Sequence, residues 1–499
     1  MHPDQKLETE QLNDIQGDIW SKGFPKNNET YYRFQIAPGS ASTFAHRLRK
    51  MVTEQPSLIS NLTTVIGDQG KITKEKQRAK AAGVEPETLP MANALIAFTF
   101  KGLQVIGTGL SKPGDLGLKK ILKTDPAFSQ GMGLDSGVLS DRTTDLDPLF
   151  AHPDGIHGLL KVAGSSEDMV GKRLKTIQDA LGWGTVIKDV PGGTAGRVDG
   201  ATRDKPNRGK EHFGFQDGIS QPLMYGIDDT PPKPDPGASA TSTMDTEPSI
   251  LIVTKDTHRA DSDRPVWMHR GSFLVLRKLE QDVEAFHELT KKYNAYNCQS
   301  PDHMGAKLMG RWPSGAPIAL PAYHTTDAPA TDHEEVKEMN NFGYEKTDGR
   351  ACPFTAHIRK TNPRRLDEWN SNSPDQGLKF SKIIRGGIPY GPDYAVGEAP
   401  GLKRGLLFAC YQGCIEDGFQ HMQRDWCNTS SFPETGSGID PGIDPIVGQV
   451  VDPTAMKTLI AEGTQPLLIK PQLVTFRGGE YFFVPSIKAL KGALTEAAP

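Results

Sequence analysis

Cysteine is scarce in this chain. Five stand among 499 residues: Cys298, Cys352, Cys410, Cys414 and Cys427. An odd count is no disulfide framework, and no Cys-x-x-Cys pair is present. Cys410 and Cys414 are near neighbours, but no His or Cys stands close enough to complete a zinc set. The five read as small buried hydrophobes. Long apolar runs are also missing. The longest, such as Ala94–Phe98 and Leu406–Cys410, fall far short of the roughly 20 residues a membrane span needs. Neither sign of charge is in large excess: 57 Lys and Arg against 61 Asp and Glu leave a net −4. With no basic block or stripe, nothing points to nucleic acid or to a membrane surface. No G-x-S-x-G elbow, P-loop or H-E-x-x-H motif occurs. The first residues, MHPDQKLETEQLND, carry no apolar signal core. The expectation is either a cytosolic protein or a mature extracellular form. Three glycosylation sequons, at Asn28, Asn61 and Asn428, tilt it weakly to the extracellular side.

What is present is the composition of a globular protein: 36% hydrophobic and 24% charged residues. The length allows two ordinary domains or one large one. Abundant Gly (52) and Pro (38) predict many loops. Strands are predicted at Tyr31–Ile36, Ala94–Phe100 and Gly158–Val162. In SSEDMVGKRLKTIQDALG, Ser165 or Ser166 caps a helix whose apolar face is Val170, Leu174, Ile177 and Leu181, and Gly182 stops it. The second half repeats the theme. GSFLVLRK (271–278) reads as a strand and LEQDVEAFHELTKKY (279–293) as a helix. GLLFACYQ (405–412) reads as a strand and CIEDGFQHMQRDW (414–426) as a helix. LVTFRGGEYFFVPS reads as a closing hairpin. The pattern is α+β, with helices packed on sheet faces. A Pro-, Ser- and Thr-rich stretch, 228–249, reads as a solvated linker. It divides an N-terminal module (1–227) from a C-terminal one (250–499).

Four places carry candidate chemistry. In GFQDGISQP (214–222), Asp217 is either the acid of an Asp-Gly turn or a buried acid–base group. In TAHIRKTNPRR (355–365), His357 is either structural or a ligand. Arg359 and Arg364 stand downstream, and nearby positive charge disfavours imidazolium; a neutral imidazole is what a metal needs. Such a histidine wants an acceptor for its second ring N–H, and Asp444 in DPIVGQ is a candidate. One His and one orienting Asp are too few for a closed zinc site but suit haem iron, because porphyrin supplies four nitrogens. The two arginines would suit the carboxylates of an anionic cofactor. In KIIRGGIPYGP (382–392), Arg385 is a surface or a site arginine, and Tyr390 is a packing or a redox residue.

GFQDGISQP resembles the GxxDG signature of the dye-decolorizing peroxidases. NDIQGDI (13–19), GRWPSGAP (310–317), AHIRKTNPR (356–364), IPYGP, GLLFACYQ and DPIVGQ resemble further blocks of that family, in the family's order. The set spans about residues 13 to 485 and most resembles the fungal-type members. The resemblance implies two ferredoxin-like modules forming one compact chain that binds haem b, one per chain. It implies Asp217 as distal acid–base, Arg385 as distal arginine, His357 as axial iron ligand and Asp444 as its partner. Many relatives carry two arginines where this chain has Arg385 and Gly386. The resemblance also places Leu406 and Phe408 on the distal wall and Arg359 and Arg364 near the haem propionates. Trp426 and Tyr390 match surface electron carriers, although Trp426 also continues the apolar stripe Ile415, Phe419, Met422. The implied activity is peroxide-dependent, one-electron oxidation of dyes and phenols by a monomer or weak oligomer. Burial raises a carboxyl pKa, and Asp217 as base predicts activity weighted to acidic pH. The rival reading is a haem-handling protein without peroxidase turnover.

Overall fold

The computed structural model describes residues 7–112, 116–151, 155–190, 196–224, 226–228, 245–246, 248–254, 263–328, 339–340, 342–344, 349–364, 380–399, 401–435, 438, 440–450, 456–460 and 465–496. Ten strands form one sheet: β1 (Asn28–Ile36), β2 (Ala92–Phe98), β3 (Gly158–Gly164), β4 (Ile187–Asp189), β5 (Arg197–Ala201), β6 (Ser272–Gln281), β7 (Ile384–Arg385), β8 (Ile388–Tyr390), β9 (Gly405–Gln412) and β10 (Val474–Val484). Their order is β8-β9-β6-β10-β2-β3-β1-β4, with β5 on β1 and β7 on β9. Every pairing is antiparallel. Counting only the four strands of each half on this path (β1, β2, β3, β4 and β6, β8, β9, β10), both halves run fourth-first-third-second, which is the ferredoxin-like arrangement. The expected α+β fold is therefore found.

The two half-sheets meet at one register pair, Phe483 with Phe98. Gln16 reinforces that seam. Its amide donates to Ile96 O (2.9 Å) and Pro485 O (2.8 Å) and accepts from Ile96 N (2.9 Å). At the far ends, Gly200 of β5 lies against β8: a Cβ there would stand 2.4 Å from Ile388 Cγ2. The sheet thus curls until its two ends touch.

Curling gives the sheet an inside and an outside, and alternation along each strand assigns the side chains. Leu95, Leu159, Leu274, Ala409, Tyr411 and Phe482 pack together inside. Phe34, Ile96, Leu160, Val275 and Phe483 pack outside, with helix residues Phe44, Leu48, Leu174 and Ile177. Both faces are buried, which is why these strands read as near-continuous apolar runs. The helix Glu167–Leu181 (α1) is as expected. Ser166 Oγ accepts from Met169 N (3.3 Å), and Gly182 ends it at φ 85°. Among the described residues no helix is long and apolar enough to cross a membrane.

Three local expectations need correction. The helix expected from Leu279 begins at Val283 (α2, Val283–Thr290), because β6 continues to Gln281 between two partner strands and Asp282 caps the helix through Ala285 N. The closing hairpin is instead the single strand β10. Its RGG segment is a bulge between Phe476 and Gly478, not a turn; a bulge inserts one unpaired residue without reversing the chain. The helix after β9 is wound as two π-helical pieces, Glu416–Gln420 and Met422–Cys427. Most of the expected linker at 228–249 lies outside the described residues. All five cysteines are buried. The sequon Asn428 is engaged: its amide donates to Leu139 O (2.9 Å) and accepts from Gln449 N (2.7 Å).

Candidate active site

A cavity of about 250 Å³ opens on the outer face of the C-terminal half-sheet. Leu279 on β6 and Leu406 and Phe408 on β9 line it, with Phe419, Met422 and Ile446. Asp217, His357, Arg364 and Arg385 line the same cavity.

The loop that carries Asp217 is set by a buried acid. Glu211 accepts from Phe213 N (2.8 Å), Phe215 N (2.9 Å) and the Gln281 amide at the end of β6. Phe213 stacks on Phe286 of α2 at 4.5 Å, and Phe215 meets the same ring edge-on. The turn reading of Asp217 holds, and the side chain also reaches the cavity. Its Oδ1 accepts from Gly218 N at 2.6 Å, closing a turn in which Gly218 has φ 78°. The same oxygen accepts from Arg385 Nη1 at 2.6 Å. Oδ2 makes no hydrogen bond among the described residues. Burial alone would raise this carboxyl. The Arg385 guanidinium and the Gly218 N–H outweigh it and hold the group below its ordinary value. The expectation of a raised Asp217 is thereby corrected: a guanidinium in contact overrides desolvation.

Arg385 occupies the two-residue strand β7. Its Nη2 donates to Ser220 O (2.8 Å). Gln221 clamps its backbone, accepting from Arg385 N (3.0 Å) and donating to Arg385 O (2.7 Å).

His357 opens the short helix His357–Thr361 (α3). Its Nδ1 lies 2.8 Å from Asp444 Oδ2. Asp444 is fully buried, and its Oδ1 accepts from Ile446 N (2.8 Å) and Val447 N (3.0 Å). Burial pushes its pKa up, but His357 and those two N–H groups outweigh this and keep it below the usual carboxylate range. An ionised Asp444 fixes the proton on Nδ1 and leaves the Nε2 lone pair for the cavity.

The cavity also holds unmatched positive charge. Arg364, in a left-handed conformation (φ 52°), donates to Asn340 O (2.5 Å) and Ser220 Oγ (3.2 Å), while its Nε has no partner among the described residues. Arg311 binds Gly315 O, Met339 O and Asn340 Oδ1. Burial and Arg364 depress it to about 9. Lys382 donates to Asn362 Oδ1 (2.9 Å), and burial with Arg364 brings it down to about 7. Among the described residues no carboxylate pairs with these three cations. Apolar walls, an imidazole with a free Nε2 and three cations lacking anions fit haem, a flat apolar ring with two carboxylates.

The residues expected at the site divide. Asp217, Arg385, His357, Asp444, Leu406, Phe408 and Arg364 come together. Arg359 does not line the cavity, which corrects its expected place beside the propionates. Two residues past His357 on a helical turn, it faces the other way. It donates to Cys352 O (2.7 Å) between the rings of Tyr344 and Phe354. Trp426 is 2% exposed and stacked on Phe432 at 5.3 Å; Tyr390 is 7% exposed. Neither is a surface residue: Trp426 keeps to the apolar stripe of its helix, and Tyr390 packs into the inner cluster of the sheet. Arg311 and Lys382 were not singled out from the sequence, although they lie in the GRWPSGAP and KIIRGGIPYGP segments. A basic residue in a loop shows its burial only once the chain is folded.

Known proteins point the same way. Residues 14–197 match the DyP dimeric alpha+beta barrel domain, and residues 240–435 match the Dyp-type peroxidase C-terminal domain. Peroxidase 2 of Mycetinis scorodonius is 32% identical, covering 97% of this chain and 88% of that protein. A dye-decolorizing peroxidase of Auricularia auricula-judae is 31% identical, covering 97% and 86%. The solved structure of an ancestral D-type dye-decolorizing peroxidase superposes with a TM-score of 0.80 at 35% identity, covering 99% of this chain and all of that one. With a ferredoxin-like pair of half-sheets, a carboxylate-backed imidazole and an Asp–Arg pair on one cavity, the chain belongs to the dye-decolorizing peroxidase family and is a peroxidase.

Proposed function

We propose that this chain binds one haem b, reduces hydrogen peroxide, and takes single electrons from bulky dyes and phenols. One observation carries the reading: His357, backed by the buried Asp444, lines the same cavity as the Asp217–Arg385 pair. Relatives named as dye-decolorizing peroxidases and one solved with 2,6-dimethoxyphenol support the reductant class.

When bound, haem supplies the redox-active iron. His357 would hold the iron through Nε2, and Asp444, hydrogen-bonded to Nδ1, would orient the ring and raise its basicity. Arg364, Arg311 and Lys382 would pair with the haem propionates, and Leu406 and Phe408 would give the haem an apolar wall. Asp217 uses its free Oδ2 to accept the proton of the bound peroxide and return it to the departing oxygen. Proton return there would let the departing oxygen leave as water rather than hydroxide, with haem, when bound, supplying the electrons for the cleavage. Arg385 keeps Asp217 ionised and stabilises charge on the departing oxygen. Because Asp217 is held low, it stays a competent base as the solution becomes acidic. Tyr390 and Trp426 serve as buried relays for reductants too large for the cavity; the π-helical turns that carry Trp426 pack against α3.

The direct test is reconstitution with haemin, followed by one equivalent of peroxide. A Soret band that shifts on peroxide addition is expected. Its absence from His357→Ala, with the fold intact by circular dichroism, identifies the ligand. A wild-type protein that stays colourless with haemin ends the proposal.

A further inference from the structure

The inside of the curled sheet holds a cluster that the chemistry above does not use. Lys161 on β3 is fully buried. Its Nζ lies 2.5 Å from Asp18 Oδ2 and 3.1 Å from Glu29 Oε1. Lys26 Nζ lies 2.9 Å from Glu29 Oε2. Tyr31 donates to Glu29 (2.9 Å), and Tyr411 donates to Asp18. Burial works against the Lys161 ammonium, but Asp18 and Glu29 outweigh it and hold it above its ordinary value. Two cations and two anions balance. Burying four charges is costly unless they serve an arrangement.

Both ammonium groups converge on one backbone atom. Lys26 Nζ donates to Gly386 O at 2.8 Å, and Lys161 Nζ reaches it at 3.2 Å. Gly386 follows Arg385. It leaves room for the cluster: a Cβ there would stand 3.3 Å from Lys161 Nζ and 3.6 Å from Asp18 Oδ2. β7 is two residues long and pairs with β9 alone, so few ladder bonds fix it. Gln221 clamps Arg385 from the cavity side, and the lysines hold the next carbonyl from inside the sheet.

We infer that Lys26 and Lys161 are positioning residues for Arg385. The N-terminal half, through Asp18, Glu29 and these two lysines, locks the Arg385–Gly386 backbone so that the guanidinium meets Asp217. The inference rests on the proposed peroxide role of the Asp217–Arg385 pair.

The test is Lys26→Met in the haem-loaded protein, alongside Arg385→Leu. The expected result is kcat/KM for peroxide reduced ~5- to 10-fold, in line with the net worth of one ordinary hydrogen bond. kcat/KM for a small phenol and Soret absorbance should stay near wild type, while Tm falls, because loss of one cation leaves the buried carboxylates in excess. The association rate of cyanide, which must lose a proton on entering the same cavity, should fall in parallel. Lys26→Arg, which keeps a donor, should restore both. If Lys26→Met does not fold, the charge-balanced double variant Lys26→Met/Glu29→Gln carries the same expectation. Wild-type peroxide and cyanide rates in the folded variant overturn the inference, as does an equal loss on peroxide and phenol. If Arg385→Leu slows peroxide while the lysine variants do not, only this inference fails. If Arg385→Leu is itself silent, the proposed role of the pair falls and the inference with it.

Discussion

Two aspartates serve one cavity, and their surroundings differ. Asp444 is fully buried; one oxygen takes the His357 N–H and the other takes two backbone N–H groups. Asp217 has a side chain 37% exposed, toward the cavity, and both its hydrogen bonds converge on Oδ1. Both carboxyls are held below the ordinary range against burial. Asp444 has both oxygens engaged and is sealed from the cavity, which suits it to orienting the imidazole. Asp217 keeps Oδ2 open and can exchange one. The same side chain becomes a brace or a base according to how many of its lone pairs the fold occupies.

Asp217→Asn should break the contrast most severely. Removing the base lowers kcat/KM for peroxide by about 10²–10⁴-fold, while phenol oxidation and haem content stay near wild type. Steady-state kinetics with each substrate varied in turn checks it. Arg385→Leu should cost about 10²–10³-fold on the same parameter. It should also move the acidic limb of the peroxide pH profile upward. With the guanidinium gone, burial is the largest influence on Asp217 and raises it, so the carboxylate is protonated at a higher pH than in the wild type. An unmoved limb would show that Arg385 does not set that titration. Asp444→Asn sharpens the contrast from the other side. It should weaken haem binding by about 10–100-fold, read by haemin titration, with a smaller effect on peroxide reactivity of the loaded fraction. Tyr390→Phe should be the mildest change. The buried hydroxyl has no partner among the described residues, so its loss should alter stability by less than about 1 kcal/mol, measured by denaturant unfolding. A drop in dye turnover without a drop in stability would then assign the phenol to electron transfer.

Legibility followed the range of the interaction. The α1 helix carried its own cap, apolar stripe and stop, all within 18 residues of sequence, and it formed as read. The β6 end was misread because Leu279–Gln281 has helical character locally while two partner strands claim it. RGG was misread because a bulge and a turn share the same glycine signal. At the site, Asp217, His357 and Asp444 were legible through their motifs. Arg359 was misplaced because a short basic run does not say which side of the helix faces a cavity that other segments build. The depressed Asp217 could not be read at all, since Arg385 is 168 residues away.

By itself the sequence determined the α+β class, the two-part strand–helix pattern, the family resemblance and the identities of the imidazole, the acid and the arginine. These depend on residue type and local spacing, which the chain carries along its length. The tertiary structure decided which carboxyl keeps an open lone pair, which cations face the cavity, and that two lysines from the first half grip the backbone beside Arg385. Those depend on burial and on distances between remote segments, and both come into being only when the sheet curls and closes.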